Sequence, residues 1–274
     1  MNSDLVNSGA LILHLFSIGC ALFVVVSYFR FAELRTPGFT IVSLISMCDA
    51  AANISYISFP PPNTGSADCY AQALLISFFV AASVLWSMVI SLTIYATVLG
   101  ALGRPARFLT SILDRPIIVH AVVWGWALAL ALLPLSTNST GHDAGPLCWL
   151  ATETAWGKFW VYFTAFGFLW VIVAVIVLIT CRIRFAILAV VSVMLELEFK
   201  HQTVSDASRQ PANVNNGYTR LLTFYNTLKW YPVILIIAWT RDTILRVAQS
   251  FGYTMSATIG GIFKLVTASF FQGQ

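Results

Sequence analysis

Lys158–Cys181 reads KFWVYFTAFGFLWVIVAVIVLITC, with its charge confined to the first position. Within it, Leu169–Leu178 carries no polar side chain, so it has neither the period-two alternation of a barrel strand nor the polar face of a surface helix. About 20 such residues, rising roughly 1.5 Å each, cross the ~30 Å hydrocarbon layer of a bilayer as a helix. Six more apolar runs of that length surround it: Ala10–Phe29, Gly38–Phe59, Cys69–Leu99, Pro116–Leu135, Leu221–Thr240 and Met255–Gln274. The third is over-long and is expected to tilt. A backbone in lipid must satisfy its own hydrogen bonds, which leaves helices or closed barrels. The expected fold is therefore all-α, a bundle of seven transmembrane helices forming a single domain over residues 1–274.

Composition agrees with that class. Hydrophobic residues make up 58% of the 274 and charged residues 9%, with a mean hydropathy of +0.82. The net charge of +4 restates a topological bias, and nucleic-acid binding has no soluble domain in which to reside. Of the 15 basic residues, 11 fall between spans one and two (Arg30, Arg35), three and four (Arg104, Arg107, Arg115) and five and six (Arg182, Arg184, Lys200, Arg209, Arg220, Lys229). That side is expected to be cytoplasmic. Met1–Gly9 has no Lys or Arg, which places the N-terminus outside and argues against a cleavable signal peptide, since that would carry its positive charge ahead of the apolar stretch.

The topology sorts five cysteines. Cys20, Cys48 and Cys181 lie within spans or at their inner end, whereas Cys69 begins span three on the outer side and Cys148 sits in the outer loop after span four. Only those two face an oxidising compartment together, which predicts a disulfide; the alternative is two free thiols. In the same loop, Asn138-Ser139-Thr140 is a glycosylation acceptor. Asn53-Ile54-Ser55 matches that pattern inside span two and is expected to be inert. Arg182–His201, with the run Phe185–Leu195, reads as a helical extension of span five into the cytoplasm.

Ionisable groups within a membrane are costly unless paired or wet. Asp49 lies about 16 Å into span two at 1.5 Å per residue. It is either a switch or ion-binding carboxylate, or a buried group hydrogen-bonded to neighbouring helices. Lys264 in span seven is a candidate partner. A transporter or channel would use Asp49 and Lys264 along a polar path. A retinal-binding light sensor would need a counter-ion, and span three offers no acid between Tyr70 and Leu99, leaving Asp49 alone. His14 and His120 are given no role, and the tryptophans Trp86, Trp124, Trp126, Trp160 and Trp170 are read as packing or interface aromatics. No metal-ligand spacing, phosphate loop or nucleophile elbow is present, so neither a cofactor nor enzymatic activity is expected.

Cys69 followed by Gln72, Phe78-Phe79, Ser83 and Leu85-Trp86, then Cys148-Trp149, then Tyr231-Pro232, Trp239 and Arg246, with Ser269-Phe270-Phe271-Gln272-Gly273 near the end, resemble the cyclic AMP receptor-like family of G-protein-coupled receptors, which is related to the secretin-like receptors. Span three ends Tyr95-Ala-Thr-Val-Leu-Gly100 in place of the Asp-Arg-Tyr of rhodopsin-like receptors. The family pattern continues past the final Gly, so ending at Gln274 suggests truncation within or at the end of helix seven. The resemblance implies a plasma-membrane receptor that meets an extracellular small-molecule ligand at the bundle mouth and opens a cytoplasmic pocket for a heterotrimeric G protein. Arg104, Arg107, Arg182 and Arg184 are the candidate G-protein contacts; the alternative is that they fix topology and bind anionic lipid. Pro232 is a candidate hinge and Trp239 a neighbouring switch position. Arg241, Arg246 and Lys264 are basic on the side where few are expected, and make a candidate site for an anion such as a cyclic nucleotide. Pairing of Asp242 with an arginine and of Lys264 with Asp49 is the structural alternative.

Overall fold

The computed structural model describes residues 3–58, 66–101, 107–142, 148–151, 154–202 and Thr240. They form α1 (Ser3–Arg30), α2 (Pro37–Ser58), α3 (Ala67–Ala101), a short α4 (Arg107–Leu113), α5 (Pro116–Ser136), strands β1 (Thr140–His142) and β2 (Cys148–Leu150), α6 (Ala155–Trp160), a π-helical stretch Val161–Phe168, and α7 (Leu169–Gln202). Five of these helical segments are long and apolar enough to cross a membrane: Leu11–Arg30, Pro37–Ser58, Ala67–Gly100, Pro116–Ser136 and Ala155–Ala189. They coincide with expected spans one to five. Spans six and seven lie outside the described residues, apart from helical Thr240.

Local chemistry sets the boundaries. At the end of α1, Arg35 Nη2 donates to the Phe29 carbonyl at 2.7 Å, meeting an acceptor with no partner inside the helix. Pro37 and Pro116 each open a helix, where their missing N–H costs nothing. Thr154 caps α6, its Oγ1 accepting from Gly157 N at 2.9 Å. The end of α5 closes in a Schellman arrangement: Ser139 N donates to the Pro134 carbonyl at 3.1 Å and Asn138 N to the Leu135 carbonyl at 3.0 Å. The left-handed residue of that turn is Asn138, with φ of 50°, a conformation Asn tolerates better than most side chains.

Successive helices run up and down, with α3 at the centre against α2, α5, α7 and both strands. Small side chains, Ala50, Ala52, Ala73, Ala82, Ala127 and Ala131, occupy buried positions and let backbones approach where apolar burial gives no drive. The core joins Cys48, Leu85, Trp86, Val123, Ala127 and Ile176. The rim of the bundle is apolar as well, Phe23 of α1 being 74% exposed, as expected of a surface whose solvent is lipid. One end of the bundle carries the disulfide and the hairpin; the other carries Arg30, Arg35, Arg107 and Arg115. The α7 extension expected from sequence is present as continuous helix to Gln202.

Candidate functional site

At the disulfide end, Cys69 in the first turn of α3 bonds to Cys148 of β2, their Cα atoms 5.2 Å apart. Three residues on, the fully buried Gln72 repeats the attachment non-covalently. Its Oε1 accepts from Cys148 N at 2.9 Å and its Nε2 donates to the Ser55 carbonyl at 3.3 Å, so one side chain ties α2, α3 and β2 together. Trp149 Nε1 donates to Ser77 Oγ at 3.1 Å, a further contact along α3. The antiparallel hairpin pairs Thr140 with Leu150 and His142 with Cys148. Trp160 Nε1 reaches Thr137 Oγ1 at 2.8 Å, joining α6 to the end of α5. Gly157 packs against the strand end so closely that a Cβ there would overlap the Ala151 carbonyl. The result is a fastened cover over this end of α3.

In the middle of the bundle, Asp49 Oδ1 accepts from Ser83 Oγ at 2.7 Å, which partners the carboxylate across α2 and α3. One turn along α2, Asn53 Nδ2 donates to the Asp49 carbonyl at 2.7 Å and to Ser17 Oγ at 3.3 Å. Its Oδ1 meets His14 Nδ1 at 2.7 Å, and the His14 ring stacks on Tyr56 at 5.2 Å. Because Asn53 Oδ1 can only accept, His14 carries its proton on Nδ1. His14, left without a role from sequence, is thus a link between α1 and α2, and Asn53 is a structural amide. His120 likewise joins a ring cluster. Its Nδ1 accepts from Trp124 Nε1 at 3.3 Å and its centroid lies 4.8 Å from that of Trp86. The sequence offered no signal for these pairings, since lone polar residues reveal partners only once helices are placed.

At the opposite end, Arg107 begins α4, and Arg182 and Arg184 lie exposed on α7, beside Phe185, 69% exposed. Arg104 lies outside the described residues, as do Arg241, Arg246, Lys264, Pro232 and Trp239. No cluster of metal-ligating side chains occurs among the described residues.

The chain matches the family described as Slime mold cyclic AMP receptor over residues 2–206. The match takes in spans one and two as well as the motifs from Cys69 to Trp149, and stops before the helix-six and helix-seven motifs. G-protein coupled receptor 1 of Arabidopsis thaliana is 28% identical over 242 residues, covering 88% of this chain and 66% of that protein. Cyclic AMP receptor 1 of Dictyostelium discoideum is 23% identical over 252 residues, covering 89% and 56% respectively. G-protein coupled receptor 157 of Homo sapiens is 26% identical over 177 residues, covering 59% and 50%. The chain thus spans between half and two thirds of the length of these relatives. A helical membrane protein with its third helix disulfide-linked to the following hairpin, matched over three quarters of its length, belongs to the slime mold cyclic AMP receptor family.

Proposed function

We propose that this chain is a seven-transmembrane receptor of the plasma membrane, a single domain with its N-terminus outside, that binds an extracellular small-molecule ligand and activates a heterotrimeric G protein. Family membership is the observation that carries the reading. It is supported by a cover fastened over one end of the bundle and by an arginine-bearing helical extension at the other. The relatives named as receptors for cyclic AMP make an anionic nucleotide the first ligand to try, with Arg241, Arg246 and Lys264 as its candidate contacts. Ligand binding shifts the receptor only through differential affinity for two helix arrangements, with Pro232 the candidate hinge between them and Trp239 a neighbouring candidate switch position. Arg182 and Arg184 are the leading G-protein contacts and Arg104 a further candidate, whereas for Arg107 the anionic-lipid alternative is favoured.

The deciding experiment measures ligand-stimulated nucleotide exchange on a G protein by wild type, Arg246→Gln, Lys264→Gln and Arg182→Glu/Arg184→Glu at matched surface expression. The first two variants should weaken response to an anionic ligand, and the last should remove exchange while leaving binding intact. Binding unchanged within about twofold, under ~0.5 kcal/mol, in the first two variants rejects the anion site. Exchange preserved in the last rejects the G-protein face.

A further inference from the structure

The segment between spans three and four carries Arg104, Arg107 and Arg115. In the structure it contains α4, a helix that is apolar on both sides. Leu113 packs against the core, whereas Phe108 and Ile112, four residues apart, point away from it, 81% and 38% exposed. Just beyond, Ile117 in the first turn of α5 is 83% exposed, and it and Phe108 are the two most exposed large apolar side chains among the described residues. This strip does not end there. It runs on into Ile118, Val122 and Trp126, at helical spacing along the outer face of α5, a membrane-length helix. The medium that covers α5 therefore borders α4 directly. Exposed Arg107 and Arg115 flank the strip, Arg104 precedes it, and Asp114 is the single acid between Arg104 and Ile117.

We propose that α4 and the first turn of α5 form a docking surface for acidic phospholipid, with Phe108, Ile112 and Ile117 among the acyl chains and Arg107 and Arg115 against the headgroups. An apolar helical face edged by arginines settles at the headgroup boundary, and juxtamembrane cations are attracted to anionic lipid. The docking would fix the height of the segment leading into α5. It rests on the arginine end facing the cytoplasm, as proposed above, but not on G-protein coupling.

The test places a bimane at Phe108→Cys, and separately at Ile117→Cys, in the full chain carrying Cys20→Ser and Cys181→Ser. Each is reconstituted in nanodiscs of phosphatidylcholine with or without phosphatidylserine. Lipids bearing a nitroxide high on the acyl chain should quench both labels more than aqueous iodide does. Adding phosphatidylserine should raise that quenching, and Arg107→Gln/Arg115→Gln should abolish the increase while the melting temperature stays that of the parent. Dominant iodide quenching would mean the strip faces water. Protection from both quenchers would mean that protein, a second copy or a G protein, covers it. Lipid quenching indifferent to phosphatidylserine would mean that the arginines read no headgroup. Each of those results overturns the proposal, and because no signalling is measured, the receptor reading stands or falls separately.

Discussion

Gln72→Leu isolates the non-covalent half of the cover. Leucine keeps roughly the volume of the side chain and removes both of its hydrogen bonds, the 2.9 Å acceptor for Cys148 N and the 3.3 Å donor to the Ser55 carbonyl. Cys148 is fully buried, so its amide would be left without an acceptor, at about 1–3 kcal/mol. The Ser55 carbonyl lies in the last turn of α2, where helical donors run out, and its loss adds to that figure. The disulfide persists in the variant. Its span of 79 residues corresponds to about 4.5 kcal/mol of loop-closure entropy, so the hairpin should stay tethered while losing its register. The chain in detergent should melt lower by about 2–4 °C per kcal/mol, and hydrogen exchange should speed up at Cys148 and along β2. A melting temperature within about 1 °C of wild type, together with unchanged exchange at Cys148, would refute the claim that Gln72 holds the hairpin.

Gly157→Ala forces a Cβ onto the Ala151 carbonyl and should destabilise the cover by at least about 2 kcal/mol, whereas Gly125→Ala, which meets nothing within 4 Å, should gain up to about 1 kcal/mol of helix stability; thermal melts of the pair check both signs. A double-mutant cycle of Asp49→Ala and Ser83→Ala should return a coupling of about 0.6–1.7 kcal/mol, and an additive pair would show that their 2.7 Å contact contributes nothing. Thr140→Val should remove a glycosidase-sensitive gel shift without loss of stability, because the buried Thr140 hydroxyl has no hydrogen-bond partner, while Asn138→Gln should remove the same shift at a cost of about 1 kcal/mol for its left-handed backbone.

The apolar runs were enough to locate spans one to five, because crossing lipid imposes a length and a composition that local sequence must display on its own. The pairing of Cys69 with Cys148 was legible too, since the arginine distribution had already sorted the cysteines by side. The extension of span five over Arg182–His201 was legible from the apolar run Phe185–Leu195, too short to cross a bilayer by itself, and the helix ends one residue later, at Gln202. Partners were a different matter. Asp49 could be flagged as costly, but that Ser83 meets it depends on how α2 packs beside α3. His14 and Asn53 looked idle until α1 and α2 lay side by side, and Gln72 was a letter in a motif until it was seen reaching both Ser55 and Cys148. The outward face of α4 was hidden because seven residues are too few to show a period. Sequence by itself determined which of the described segments are long and apolar enough to cross a membrane, a property each segment carries alone in its transfer free energy. Only the tertiary structure decided which polar groups satisfy one another, because a hydrogen bond requires two atoms within about 3 Å, and that distance is set by how separate helices pack.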